Sequence, residues 1–273
     1  MSASPIGKRL LVAAWGIPLL LGLIWLGGWW TAALIAAIVL IAQFEYYALQ
    51  EAMGRKPLTE VGLMAGLAVV ALWQIGGMEA LGWTLASLFL TIALAILLTG
   101  RTHSDLLATF GGIAYPPLLG GSFLLVRNFE PSSSSGFWLA LGLFGSIWIC
   151  DTAAYAFGRW TGKHYLAAAI SPGKTVEGFV GGLVAASLFA VVWWRLGFID
   201  WDMAIVLAFA TGLIGQLGDL VESALKREAG VKDAGTFLPG HGGVLDRFDS
   251  LFAAAPALAM YLSVREQIFT LVK

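Results

Sequence analysis

The chain has 273 residues, of which 59% are hydrophobic and only 12% charged, with a formal net charge of -1 and a mean hydropathy of +0.82. That composition excludes an ordinary soluble globular protein and points to a polytopic membrane protein. The near-neutral net charge does not indicate a partner, and no nucleic-acid partner is expected.

Apolar runs close to the ~20 residues that cross a bilayer as a helix recur along the chain, so an all-α fold with about nine transmembrane helices is expected. They fall at 10–27, 29–49, 61–78, 80–99, 106–126, 137–158, 177–196, 202–222 and 248–265. The first, preceded by Lys8 and Arg9, looks like a signal sequence; without a small-residue cleavage site after it, it reads as a retained helix. Glu45, beside Tyr46 and Tyr47 at the inner end of the second run, reads as interfacial, with lining of the site as the alternative. The third and fourth runs are separated only by Gly76, Gly77 and Glu79, a minimal turn. Pro131 and the serines 132–135 read as an outer loop. The single cysteine, Cys150, excludes an intramolecular disulfide and sits in an apolar run as a buried thiol. Most of the twelve tryptophans suit an interfacial belt.

Polarity divides the chain into scaffold helices over 1–105 and a catalytic region over 106–273. Nine spans with the N-terminus inside put twelve of the 16 Lys and Arg on inner segments, the bias that the positive-inside rule expects. The dense polar stretch 223–249 then faces the cytoplasm, and the protein is expected in the cell inner membrane.

Three constellations can carry chemistry. In the first, Asp219, Glu222, Ser223, Lys226 and Arg227 follow one another at i, i+3, i+4, i+7 and i+8 and share one helix face. Intrahelical ion pairing explains such a face on a solvated helix. Asp219, however, lies inside an apolar run, where a carboxylate faces a partner, a cavity or a metal. In the second, Lys232 and Asp233 precede Pro239, Gly240, His241, Gly242 and Gly243, and then Asp246, Arg247 and Asp249. The glycines let backbone amides approach an anion. Asp246 and Asp249 serve either as dipole partners at a helix start or as hard oxygen ligands suited to Mg²⁺ with substrate phosphates. His241 has no second histidine or cysteine at ligand spacing, so zinc is not expected.

In the third, Asp151 lies in an apolar run, with Tyr155 one turn later. Ser171 to Thr175, carrying Lys174, reads as a basic turn. Inside-positive topology accounts for Lys174, and so does a phosphate cradle; a Walker A loop does not fit the spacing.

The stretch 223–249 resembles the signature of the phosphatidate cytidylyltransferases. Ser223, Leu225, Lys226, Arg227, Lys232, Asp233, Gly235, Leu238, Pro239, His241, Gly242, Gly243, Val244, Asp246, Arg247 and Asp249 fill it without a departure. The DTAAYAFGRWTGKH and SPGKTVEG segments extend the resemblance over roughly 145–250. It implies the reaction of CTP with phosphatidic acid at a bilayer, giving CDP-diacylglycerol and pyrophosphate. Asp219 and Asp246 would be the principal Mg²⁺ ligands, with Asp249 and Asp151 nearby. Lys226, Arg227, Lys232, Arg247 and Lys174 would neutralise phosphates. Ser223, His241, Gly242, Gly243, Ser171 and Tyr155 would contact substrate or order the turn. A second, monovalent cation such as K⁺ and a homodimer are also implied. A polyprenol or dolichol kinase-like enzyme and an ion-coupled transporter are the competing readings. The absence of the Asp-Gly-x-x-Ala-Arg pattern counts against a CDP-alcohol phosphotransferase.

Overall fold

The computed structural model describes residues 5–77, 79–130, 136–238 and 242–271. Most of them are helical: α1 (Pro5–Leu26), α2 (Gly28–Ala52), α3 (Thr59–Gly76), α4 (Ala80–Thr99), α5 (His103–Ile113), α6 (Phe123–Asn128), α7 (Gly136–Thr161), α8 (Val176–Arg195), α9 (Trp201–Phe209), α10 (Gln216–Glu228) and α11 (Leu245–Leu271). A π-helical segment, Ala114–Gly120, joins α5 towards α6, and a second, Ala210–Gly215, joins α9 to α10. The breaks follow local chemistry. Gly100 takes a left-handed conformation after α4, and Thr102 with Asp105 closes a capping box at the start of α5.

Among the described residues, seven helical stretches are long and apolar enough to cross a membrane: Gly28–Ala52, Thr59–Gly76, Leu81–Thr99, His103–Asn128, Gly136–Thr161, Val176–Arg195 and Trp201–Glu228. They coincide with the second to eighth expected spans. The first expected span falls on α1, whose described apolar part is Ala14–Leu26. The ninth falls on α11, where Asp246, Arg247 and Asp249 occupy the first turns and Pro256 interrupts the hydrogen-bond ladder. Trp83, Phe89, Leu90, Leu97 and Leu98 of α4 are exposed, an inverted surface that suits contact with lipid rather than water.

One local expectation is corrected. Ser171–Thr175 is not a turn but strand β2, paired antiparallel with β1 (Tyr165–Ala167) in the register Tyr165 to Thr175 and Ala167 to Ser171. Glu177 fixes this hairpin by accepting from the Lys163 and His164 amides at 3.1 and 3.3 Å and pairing with His164 Nδ1 at 2.7 Å.

By packing, the chain forms two compact units, Met1–Leu125 with Leu225–Phe248, and Val126–Ala224 with Asp249–Lys273. In the first, α2 is the hub. Tyr47 donates its hydroxyl to Thr109 O at 3.0 Å and accepts from Gln43 Nε2, which also donates to Gly62 O at 2.8 Å. Asp105 and Thr109 of α5 accept from the Lys56 and Leu58 amides between α2 and α3. Polar side chains thus cover the backbone groups left over where helices stop, as an apolar surround demands.

In the second unit, α8 lays Gly178, Gly182, Ala186 and Ala190 along one buried stripe against α7. Such small residues allow helix backbones to approach closely. A Cβ on Gly178 would stand 2.6 Å from Ala154 O, which no side chain tolerates without a shift. Cys150 is buried in this contact, as expected. Arg265 of α11 pairs with Asp200 and Asp202 at 2.6 and 2.8 Å, tying its end to the start of α9. Gly178→Val is therefore expected to cost about 1–3 kcal/mol through overpacking, read as a lowered thermal midpoint in detergent. Gly82→Val, where a Cβ meets nothing within 4 Å, is the control that should not shift it comparably.

Candidate functional site

Each unit carries one polar constellation. In the second unit Asp219 and Glu222 project from α10 and Asp249 from α11, and one ligand oxygen from each lies within 4.8 Å of the others. Glu222 is fully buried and Asp249 nearly so. Lys174 Nζ meets Asp219 Oδ2 at 2.7 Å, and the Ser223 hydroxyl donates to Asp219 Oδ1 at 3.4 Å. The Ser250 amide donates to Asp249 Oδ1, and Asp151 of α7 adds its field to that of Asp219 and Glu222 around Asp249. Three carboxylates crowded in a half-dry site repel one another, an arrangement that a bound cation would relieve. The donors are all hard oxygens, and the set fits Mg²⁺.

The α7–β1–β2–α8 segment delivers Lys174. Thr175 caps α8 by accepting from the Gly178 amide at 3.1 Å, and the hairpin before it holds Lys174 half-buried. Ser171 begins the same strand. Tyr155 is exposed and accepts from Arg159 Nη1 at 3.1 Å, so the structure engages it with its neighbour on α7.

The first unit holds the other constellation. Lys226 Nζ donates to Asp246 Oδ1 at 2.6 Å, and Asp246 Oδ2 accepts from the Ala234 and Gly243 amides at 2.9 and 2.8 Å. Their side chains are only 12% and 6% exposed, so the pair is shielded from water, where Coulombic attraction is strong and loss of one partner costly. Asp246 thus binds the backbone at Ala234 and Gly243 to the start of α11. Leu238 and Gly242 form an isolated antiparallel bridge, and Gly242 has φ +85°, a conformation open to glycine. Arg227 reaches Val231 O at 3.0 Å, and Arg227, Lys232, Asp233 and Arg247 are exposed. His241 lies outside the described residues.

Sequence reading placed Glu222 on the right helix face without naming it as a ligand; its spacing from Asp219 was the available signal. Glu45, read as interfacial, is instead 5% exposed and accepts from the Leu245 amide at 2.7 Å. No local signal marks that contact, which joins positions 200 residues apart.

The second unit offers hard carboxylate oxygens beside Lys174, and the first offers the shielded Lys226 with the exposed Arg227, Lys232 and Arg247, side-chain types that suit phosphate chemistry. The family model of the cytidylyltransferase family matches residues 7–265. The chain is similar to the phosphatidate cytidylyltransferase of Staphylococcus haemolyticus, 48% identical over 138 residues, covering 49% of this chain and 52% of the relative. The protein of that name from Staphylococcus saprophyticus is 48% identical over 133 residues (47% and 50%), and that from Staphylococcus aureus 46% over 138 (49% and 52%). The chain spans about half the length of the curated relatives it matches. With a match over nearly its whole length, the chain belongs to the cytidylyltransferase family.

Proposed function

We propose that the chain transfers the cytidylyl group of CTP to phosphatidic acid, giving CDP-diacylglycerol and pyrophosphate. The observation that carries this reading is the close Asp219, Glu222 and Asp249 group with Lys174 paired to it, within a chain rich in apolar helices. A phosphate oxygen of the lipid attacks the α-phosphorus of CTP; the bond from that phosphorus to the bridging oxygen of the β-phosphate breaks, and pyrophosphate leaves. The nucleophile arrives with the substrate, so no side chain needs activating, and positioning and electrostatics supply the rate.

Asp219, Glu222 and Asp249, with Asp151 nearby, would hold Mg²⁺, which when bound would offset phosphate charge. The remaining work belongs to the chain's own groups. Lys174 can exchange its carboxylate partner for a phosphate, and Lys226 can do the same from Asp246 Oδ1, where a cation could then bind. Arg227, Lys232 and Arg247 present further positive charge to the leaving pyrophosphate. Ser223 orients Asp219, Gly242 and Gly243 shape the turn before α11, and His241 would contact substrate. Family resemblance supports a second, monovalent cation such as K⁺ and a pair of identical copies.

The reading also includes nine spans, with α1 and α11 completing the seven, a cytoplasmic N-terminus, and residence in the cell inner membrane with the polar residues of 151–249 facing the cytoplasm. The twelve-to-four distribution of cations supports that orientation.

Three measurements test these statements. With CTP labelled at the α-phosphorus, purified protein, phosphatidic acid and Mg²⁺ should move label into lipid, and chelation of the metal should stop it. Label entering lipid only from the γ-phosphorus would make the chain a lipid kinase instead. Asp219→Asn and Asp249→Asn should each lower kcat by at least about 100-fold while the protein stays folded and inserted; near-normal turnover in either removes that residue from the site. In a Cys150→Ala background, Lys163→Cys should react with an impermeant thiol reagent only in inside-out vesicles, and reaction in right-side-out vesicles would reverse the orientation.

A further inference from the structure

Glu45 lies on α2, at the hub of the first unit, flanked by the Gln43 and Tyr47 bonds that fix that helix to its neighbours. It belongs to none of the constellations that the sequence marks. Its carboxylate is nevertheless buried against the turn that leads into α11. Oε2 accepts from the Leu245 amide at 2.7 Å, and the Val244 amide also donates to the carboxylate. Leu245 is the first residue of α11, so the contact is a helix N-terminal cap supplied by another helix. A Cβ on Gly243 would stand 2.6 Å from Oε2, and one on Gly235 would overlap Oε1. The carboxylate thus fills the space that these two glycines leave open.

Asp246 works on the same turn through the Ala234 and Gly243 amides. Between them the two carboxylates take the amides of Gly243, Val244 and Leu245, so the path of the backbone into α11 is set by side-chain oxygens on either hand. One of these, Asp246, also holds Lys226. Displacing Glu45 therefore shifts the residue that positions Lys226.

We propose that Glu45 is a positioning residue for the reaction: it sets the Gly242–Asp246 turn from α2 and so fixes where Asp246 holds Lys226. This rests on the functional reading above. A purely structural role would make Glu45 matter for stability alone; a positioning role makes it matter for turnover in a protein that remains as stable. Glu45→Gln separates these, because the amide keeps the volume and an oxygen able to accept both backbone donors, but removes the negative charge from the start of α11 and puts an NH2 group where the buried Oε1 lies.

In the full-length protein, Glu45→Gln should lower kcat about 10- to 100-fold, the range for groups that orient a site from behind. KM for phosphatidic acid and the thermal midpoint should be unchanged, and amide hydrogen exchange over 242–248 should accelerate. Gly243→Ala, which pushes the carboxylate away, should share the defect, so the double variant with Glu45→Ala loses no more than the worse single. Wild-type kcat with wild-type exchange in Glu45→Gln overturns the proposal. So does a loss that follows a lowered thermal midpoint, or a double variant whose losses multiply. If the unaltered protein moves no label from CTP into lipid, the functional reading fails, and the exchange measurement alone still decides whether Glu45 holds the turn.

Discussion

A backbone amide at the start of a helix has no partner within that helix, and in an apolar surround it has no water either. Much of this fold is an answer to that constraint. Asp105 and Thr109 receive the amides of Lys56 and Leu58 between α2 and α3. Glu177 receives those of Lys163 and His164 before the hairpin, and Thr175 that of Gly178 at the start of α8. Glu45 and Asp246 share the amides before and at the start of α11. Carboxylates that satisfy backbone groups are held rigidly, and rigid carboxylates are what a phosphate-handling protein needs.

The same logic separates two kinds of acid in the chain. Glu45, Glu177 and Asp246 accept from backbone amides, and Glu177 and Asp246 each pair with a basic side chain as well. Asp219, Glu222 and Asp249 instead crowd their oxygens together, with Lys174 and Ser223 at the margin. Crowding of like charge is unfavourable without a cation, which is what sets this group apart from the acids that bond to amides. Asp246, implied as a ligand by resemblance, is paired with Lys226 in this structure.

Much was legible in the chain itself. Hydropathy located seven spans closely, because burial in lipid leaves a signal in every residue of a helix. The shared face of Asp219, Glu222, Ser223 and Lys226 followed from helical periodicity alone. What was not legible depends on contacts distant in sequence or on short irregular pieces. Glu45 meets Leu245 across 200 positions, and nothing in FEYYALQ announces it. The hairpin that carries Lys174 is held by Glu177, Lys163 and His164 together, and a Ser-Pro-Gly sequence read locally suggests a turn instead.

The π-helical segment Ala210–Gly215 has a consequence for how α9 and α10 are phased. An α-helix advances about 100° per residue, and a π turn takes in an extra residue without lengthening the ladder accordingly. Hydropathy sees one uninterrupted span, Trp201–Glu228, yet the azimuth on which Asp219 and Glu222 emerge is not the one that α9 would dictate. Thr211 and Gln216 bond across this stretch to Leu207, Gly212 and Phe179, which holds the offset in place. The span therefore behaves as two helices on a common axis, a lipid-facing one and a chemical one, whose angular setting is a single degree of freedom stored in six residues.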